Sequence, residues 1–537
     1  MTAVVALAAV ACASPSKMAE MAENVIVTCQ PEVLQVVAGN IDADITVNYP
    51  ADYFHPKATL AVTPVIVYDG GEVAGEPFMY QGTKVKDNYK VISSNGGTVK
   101  EHVNFKYVPG MEKCYLELRG VASTKSKSVD LPSKKVADGA NTTYMLVNKA
   151  GKVDFKADNY QEIIAQTEEG QILYTINSAD VRAQQLKSQS IKDFQKALDE
   201  IKANERKTLK GTDVVAYASP DGGQSLNAKL SDKRASSAEK AFGKVTKGKE
   251  TGDVTVSSIG QDWEGFQELV AASDIQDKDL IIRVLSMYSD PAVREQEIKN
   301  MSSVYTELAK DVLPELRRAR FIANVEYKNY TSEELLKLIE DNIDILDEEA
   351  LLRAATLVEK PADKIALYKK AVSKFNSERA QYNIAVVNIK DGKLGAAKTA
   401  LAKCKEDADV LNAKGVIALQ EEDYSEAYKY FAQSSNDTAL ENQAIIDILN
   451  GSYNFAAQKL AGTKGQNKAI ANILNGDLKT AAAAVASCDC PKSSYIKAII
   501  AARQGKAADV KANLQKASAD KELAKRAEKD IEFAQYK

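Results

Sequence analysis

The sequence predicts a multidomain chain with an N-terminal antiparallel β-sandwich over residues 25–150, a central α+β domain over 170–328 and a C-terminal α-helical solenoid over 329–537. Three observations predict it. Between Val25 and Val147, short runs such as LQVVAG, ADITVNY, ATLAVTPVIVY and CYLELRGVA alternate or cluster β-branched and aromatic residues, and NYP, DGGE, NGG and VPG break them, as turns break antiparallel strands. From Gln171, a strand-like QILYTIN, a helix-like IKDFQKALDEIKAN and the strand GTDVVAYAS follow one another, so helix and strand mix in the middle. Between Gly392 and Gly505 one short pattern returns five times, the mark of a helical repeat.

The first 24 residues are a signal segment and linker. MTAVVALAAVAC is apolar and small-residued up to Cys12, and ASPSKMAEMAEN after it is polar. The apolar run is too short for a bilayer, which takes about 20 residues, but it has the length and small-residue finish of a signal peptide's apolar part. Ala9-Val10-Ala11-Cys12 resembles a bacterial lipobox. That resemblance implies diacylation of Cys12, which becomes the first residue of a mature lipoprotein tied to a membrane without spanning it. An ordinary signal peptide and a plain apolar tail are the other readings.

In the strand region, Tyr49, Tyr53, Phe54, Tyr68, Phe78, Tyr80, Phe105 and Tyr107 either line a glycan or peptide groove or fill a sandwich core. Cys29 and Cys114 are either a disulfide or two buried thiols. The polar tract ASTKSKSVDLPSKKVADGANTT reads as a long loop or exit linker.

After the strand GTDVVAYAS, Tyr217-Ala218-Ser219-Pro220-Asp221-Gly222 is followed by Asn227, Leu230-Ser231 and Arg234-Ala235, and LPELRRARFIANVEY lies downstream at Leu313 to Tyr327. These motifs resemble the OmpA-like domain that holds peptidoglycan, over roughly residues 170 to 328, with extra helical material between Trp263 and Leu313. The resemblance implies a diaminopimelate site. Its carboxylate would take the guanidinium fork of Arg234, and backbone N–H groups at a helix start would complete the anion pocket. Asn227 matches the motif's asparagine. The family's ammonium-binding aspartate falls at Ser219 here, and Asp221 stands two residues on, so the peptidoglycan-binding set is Ser219, Asp221, Asn227 and Arg234.

The five repeats read DGKLGAAKTAL, EEDYSEAYKYF, NGSYNFAAQKL, NGDLKTAAAAV and QGKAADVKANL. With Gly392, Glu422, Gly451, Gly476 and Gly505 as equivalent turns, the fifth residue on is Ala397, Ala427, Ala456, Ala481 and Val510. The ninth is Leu401, Phe431, Leu460, Val485 and Leu514, and seven before each turn stand Ala385, Gly415, Ala444, Ala469 and Ala498. Small faces small across each hairpin, since two helices approach closely only where Ala or Gly meets its partner. The order resembles the tetratricopeptide repeat (TPR), with turns 25 to 30 residues apart where that family has 34, and no helix-ending proline, which predicts clipped loops between hairpins. The resemblance implies a concave face that grips a peptide or protein partner and carries no chemistry. Cys404 and Cys488 fall in the small slot twelve residues after a turn, and Cys488-Asp-Cys490 lacks the second ligand pair zinc needs, so these cysteines read as packing residues.

Lys plus Arg at 70 against Asp plus Glu at 74 leaves a net charge of −4, which draws in no nucleic acid. The chain has only two histidines, His55 and His102, and no nucleophile elbow, phosphate loop or dinucleotide fingerprint, so the sequence predicts no enzyme, no metal and no cofactor. Together the parts resemble envelope lipoproteins of Bacteroidota. The expectation is a periplasm-facing outer-membrane scaffold that holds peptidoglycan and recruits protein partners through its repeats. The alternative is a structural subunit of an outer-membrane assembly or secretion complex that binds no peptidoglycan.

Overall fold

The computed structural model describes residues 14–275, 278–300 and 302–536, and Cys12 lies outside them. Its contacts divide the chain into two units, Met1–Lys156 with Lys364–Lys537, and Ala157–Asp363. The strand region and the repeat array, distinct on sequence grounds, therefore share one unit, whereas residues 329–363, read with the repeats, cluster with the central domain.

In the first unit, a short helix α1 (Pro15–Glu20) precedes eleven strands. They are β1 (Ile26–Gln30), β2 (Val33–Val37), β3 (Asn40–Tyr49), β4 (Thr59–Tyr68), β5 (Gly71–Ala74), β6 (Phe78–Gly82), β7 (Lys90–Ile92), β8 (Gly97–Lys106), β9 (Cys114–Ser123), β10 (Ser128–Asp130) and β11 (Lys134–Asn141). Hydrogen bonds link them in the order β1-β3-β2-β11-β9-β4-β6-β7, with β8 on β3, β5 on β4 and β10 on β9. Pairing departs from the expected all-antiparallel pattern at β2 with β11 and at β6 with β7, which run parallel. The short β2 bridges β3 to β11, so one ladder passes through the whole region where the sequence suggests two separate sheets. The tract read as a loop contains β10 and β11. Its lysines and aspartate hide a strand whose place in the sheet is set by main-chain bonds to β9 rather than by an apolar face.

Period-two burial is cleanest in β3, where Ile41, Ala43, Ile45, Val47 and Tyr49 point inward. Tyr49 stacks on Tyr53 with ring centroids 5.5 Å apart and meets Phe54 and Tyr80 edge-on. These four and Phe105 are buried, so they fill the core, while Tyr68, Phe78 and Tyr107 are half-buried. Cys29 and Cys114 are buried free thiols.

The second unit carries a four-stranded sheet of β12 (Ile163–Leu173), β13 (Lys207–Ala218), β14 (Asp253–Gln261) and β15 (Arg318–Lys328), in the order β12-β15-β13-β14. The strand expected at 171–177 starts earlier, at Ile163, because IIAQTEEG is an edge segment whose polar alternation hides its pairing with β15. Helices α2 (Gln189–Ala203) and α3 (Gln224–Val245) pack on the sheet. Phe194, Leu198, Ala238 and Phe242 meet Val214, Ala216, Phe321 and Ala323 in one apolar core. The helical insertion is α4 (Trp263–Ala272), α5 (Lys278–Met287), α6 (Pro291–Asn300) and α7 (Ser302–Asp311). It has its own core around Phe266, Val270, Ile281, Leu285 and Leu308. The unit closes with α8 (Ser332–Asp341) and α9 (Glu348–Leu357).

After α10 (Pro361–Phe375), five antiparallel helix pairs follow: α11 (Glu378–Lys390) with α12 (Leu394–Leu401), α13 (Ala408–Gln420) with α14 (Tyr424–Gln433), α15 (Asp437–Leu449) with α16 (Tyr453–Lys459), α17 (Gln466–Leu474) with α18 (Leu478–Val485), and α19 (Pro491–Arg503) with α20 (Ala507–Ala517). All five turn residues adopt the left-handed conformation, including Glu422 at φ 63° where the others are glycine. The small residues before and after each turn are buried against one another. At Gly415 even a methyl group would lie 2.4 Å from the Phe431 ring. The shortening predicted for the loops falls largely on the second helices, which have 8, 10, 7, 8 and 11 residues. The twelfth position after each turn lies beyond the second helix in four repeats and is half-exposed there, so Cys404 and Cys488 do not sit in a tight packing slot. A last helix α21 (Lys521–Lys529) follows. Among the described residues no helix is long and apolar enough to cross a membrane.

Candidate functional site

Asn227, Ser231 and Arg234 follow one another at four and three residues along α3, which places them on one helical stripe, and all three are buried. The stripe faces the loop after β13. Asn227 Nδ2 donates to the carbonyls of Ser219 (3.0 Å) and Gly222 (2.7 Å), which holds the turn Ser219–Gly222 against the helix. Ser231 Oγ accepts from the Gly260 amide at 3.1 Å. The structure thus brings Ser219, Asp221, Asn227 and Arg234 into one corner.

The corner differs from an open zwitterion site in two respects. Arg234 is fully buried, and its guanidinium is spent on main-chain carbonyls: Nε to Ser178 (3.0 Å), Nη1 to Tyr217 (2.9 Å) and Nη2 to Thr175 (3.3 Å). Its guanidinium carbon lies 5.0 Å from the centre of the Tyr174 ring. Burial lowers its pKa to about 10. Instead of presenting a fork to a ligand carboxylate, Arg234 straps the segment after β12 to the end of β13.

Asp221 is taken by Arg317, whose Nη2 lies 3.1 Å from Oδ2, and Ser219 Oγ donates to the other carboxylate oxygen. Arg317 Nε also donates to Ser219 Oγ at 3.3 Å. Trp263 and Phe266 of α4, Glu295 of α6 and Tyr305 of α7 line a partly open hollow with Asp221, whose water-accessible volume is about 10 Å³, room for about one water molecule. Arg317 is the functional-type residue of this corner that the motif reading missed. It lies in the arginine-rich LPELRRAR segment, where composition alone does not say which arginine turns inward.

The repeat array presents a second arrangement, absent from the motif reading. After β11 the chain does not leave the unit but, past a 3-10 turn at Thr143–Leu146, runs back along the array's first helices as an irregular strap, held chiefly by asparagine side chains. Asn467 of α17 accepts from the Asn148 amide (2.7 Å) and donates to the Asn148 carbonyl (3.1 Å). Asn442 of α15 does the same to Lys152, at 2.8 and 2.9 Å, and Asn412 of α13 donates to the same carbonyl at 3.0 Å. Asn383 of α11 completes the ladder on Lys156, at 2.8 and 2.9 Å. Each carboxamide pairs with main chain, so the rungs recognise backbone and not side-chain identity.

Side chains add charge selection. Lys149 reaches Glu422 (3.2 Å) and the Tyr424 hydroxyl (3.0 Å), Lys152 reaches Glu441 (3.3 Å), and Lys156 reaches Asp407. Interaction with Tyr424 and Glu422 raises the Lys149 pKa, and the bond to Asp407 raises that of Lys156 against the opposing effect of burial. Gly151, at φ 70°, lies flush on Val416, where a methyl group would come within 2.9 Å. Upstream, Asn141 and Thr143 donate to Glu532, and Arg526 donates to the Thr142 carbonyl at 2.8 Å. Residue numbers along the strap therefore rise from 141 to 156 as its partners fall from 532 to 383.

The array's first helices, expected to be open to a partner, are thus covered over α11, α13, α15 and α17 by the chain itself. A signal for this was present in the repeats: Asn383, Asn442 and Asn467 stand nine residues before their turns and Asn412 ten before its own. A polar residue recurring on a helix that is otherwise buried requires a recurring partner.

Among the described residues no group of three or more His, Cys, Asp or Glu is placed to hold a metal ion. His55 and His102 lie apart from both arrangements: His102 sits between Asp42 and Asp44, and His55 Nδ1 accepts from the Lys57 amide.

No family model matches the chain, and no curated protein matches it. Solved structures similar to it include a tetratricopeptide repeat protein from Parabacteroides merdae, 14% identical, over 44% of this chain and 99% of that one, with a TM-score of 0.29. They also include the APC/C hetero-tetramer Cut9–Hcn1, 12% identical, over 49% of this chain and 62% of that one, with a TM-score of 0.30.

Proposed function

We propose that this chain is a non-enzymatic scaffold of the bacterial envelope, held by an acyl chain on Cys12 at the periplasmic face of the outer membrane. The observation that carries the scaffold reading is the asparagine ladder. A repeat array that spends four carboxamides on the main chain of residues 148–156 is built to hold protein backbone, and here it fixes the strand region and the array as one body. Protein partners then meet the array on surfaces the strap leaves open. One such surface is the cleft of about 470 Å³ between α12 and the α13/α14 pair, lined by Leu401, Ile417, Lys414 and Tyr430.

The central unit, with its OmpA-type motif, has two readings: a peptidoglycan holder, or a structural part of an outer-membrane assembly or secretion complex. The engagement of Arg234 by three carbonyls and of Asp221 by Arg317 favours the second. Muropeptide pull-down with the full chain tests the choice. Saturable binding that Asp221→Asn abolishes without lowering the melting temperature supports the tether, whereas no binding, with copurification of an outer-membrane barrel, supports the structural subunit. Mass spectrometry of the mature N-terminus tests the anchor, and an unacylated Cys12 removes the membrane from the proposal.

A further inference from the structure

Two cysteines at one end of the strap groove are arranged unlike the other three described. Cys488 and Cys490 lie in the loop between α18 and α19, with their sulfurs 3.0 Å apart and both side chains half-exposed. Cys29 and Cys114, by contrast, are buried, and burial raises their thiols to about 11 and about 12. Burial raises the Cys404 thiol as well.

Cys490 is the N-cap residue of α19, a helix of 13 residues whose N-terminal amides favour a negative group. Gln466 Nε2 donates to its sulfur at 3.2 Å, and Ser493 Oγ lies at the same distance. Beside the pair opens a cleft of about 320 Å³, lined by Asn148, Lys152, Gln466, Cys488 and Ser493; Cys490 borders it through its contacts with Gln466, Ser493 and Cys488. Cys490 itself has extended backbone, at φ −68° and ψ 156°, and the two side chains converge across the single residue Asp489. A disulfide in so small a ring is strained, which makes it a poor structural bond and a labile one.

We propose that Cys488 and Cys490 form a redox-active dithiol that exchanges with disulfides entering this cleft. Cys490, as the thiolate, attacks one sulfur of a disulfide R–S–S–R and releases the first R–S⁻, leaving Cys490 in a mixed disulfide. Cys488 then gives up its proton and attacks the Cys490 sulfur, releasing the second R–S⁻. Two protein thiols are oxidised by two electrons to one Cys488–Cys490 disulfide, R–S–S–R is reduced, and the two protons end on the released thiols. Hydrogen bonds from Cys488 and Ser493 lower the Cys490 thiol to about 7, so near neutral pH a large share of it is already nucleophilic.

The test is reaction of the reduced full chain with dithiodipyridine, followed by absorbance and by mass spectrometry of the peptide that contains both cysteines. The wild type releases two chromophores in a fast phase, and that peptide loses two hydrogens and keeps no adduct. Cys488→Ser releases one chromophore and retains a stable adduct on Cys490. Cys490→Ser loses the fast phase, slowing on the order of tenfold at pH 7. The fast-phase rate of the wild type rises with pH through a midpoint near 7. A stable adduct on the wild-type peptide overturns the proposal, as does Cys490→Ser reacting as fast as the wild type. The first of these readouts needs no variant.

Discussion

Asn442→Ala removes the central rung of the asparagine ladder, and its cost can be worked from the bonds it breaks. The side chain is buried, accepts from the Lys152 amide at 2.8 Å, and donates to the Lys152 carbonyl and to Asn412 Oδ1, both at 2.9 Å. After truncation the Lys152 carbonyl keeps its bond from Asn412 Nδ2 at 3.0 Å, but the Lys152 N–H and Asn412 Oδ1 are left without partners. A desolvated polar group left unpaired costs about 1–3 kcal/mol, so with two such groups the rung is worth about 2–6 kcal/mol to the seated strap. The unit is too large for a two-state melt to isolate that effect. Amide hydrogen exchange resolves it, because local opening of the strap is read residue by residue. Exchange at Lys152 and its neighbours is expected to accelerate by about 30-fold or more, with β4 and β9 unchanged. Asn454→Ala, at an exposed position, serves as the control. Acceleration at Lys152 below about threefold, or equal acceleration in the control, would refute the claim that the ladder holds the strap.

Other outcomes follow from the same geometry. Arg234→Met removes the guanidinium donor from the Tyr217 and Ser178 carbonyls and from the Thr175 carbonyl, which keeps its bond from the Ser178 amide at 3.2 Å, and should destabilise the second unit by about 3 kcal/mol, read as a lowered thermal transition, with little rescue by Lys, whose point charge cannot serve three separated carbonyls. Gly415→Ala drives a methyl group into Phe431 and should cost about 1–3 kcal/mol locally, read as faster amide exchange in α13 and α14. Glu422→Gly relieves a left-handed non-glycine turn and should raise the stability of the array by about 0.5–1 kcal/mol, because the exposed pair with Lys149 contributes little. The Asp44 hydrogen bond raises the His102 pKa above its ordinary 6.5. Its small contribution to stability is therefore fully present below about 6.5 and fades as pH rises through the folded-state value. An NMR titration of the ring checks this, and Asp44→Asn should move the midpoint down.

The repeats were the most legible part of the chain, because close helix contact admits only small residues and that restriction is written as periodic Ala and Gly. Even the turn without glycine was placed by register alone: Glu422 adopts the left-handed conformation of its four glycine counterparts. Strands that show an apolar face, such as β3, were equally readable. β11 and the start of β12 were not, since Lys134, Lys135 and Asp138 in one and Glu168 and Glu169 in the other carry no burial signal, and the strands owe their positions to main-chain pairing. In the central unit Ser219, Asp221, Asn227 and Arg234, named together from the sequence, lie in one corner. The motif could not say that Arg234 would find carbonyls before any ligand, or that Arg317 would take Asp221.

Local composition and spacing by themselves determined the helices and turns of the array, the strands that show an apolar face, and which residues of the array face one another, because those outcomes depend on neighbours within a turn or two of chain. Only the tertiary structure decided what lies along the first helices of the array. The pairing of Asn383 with Lys156 and of Asn467 with Asn148 joins residues 227 and 319 positions apart, and no short-range pattern records the partner of a main-chain bond that any residue can make.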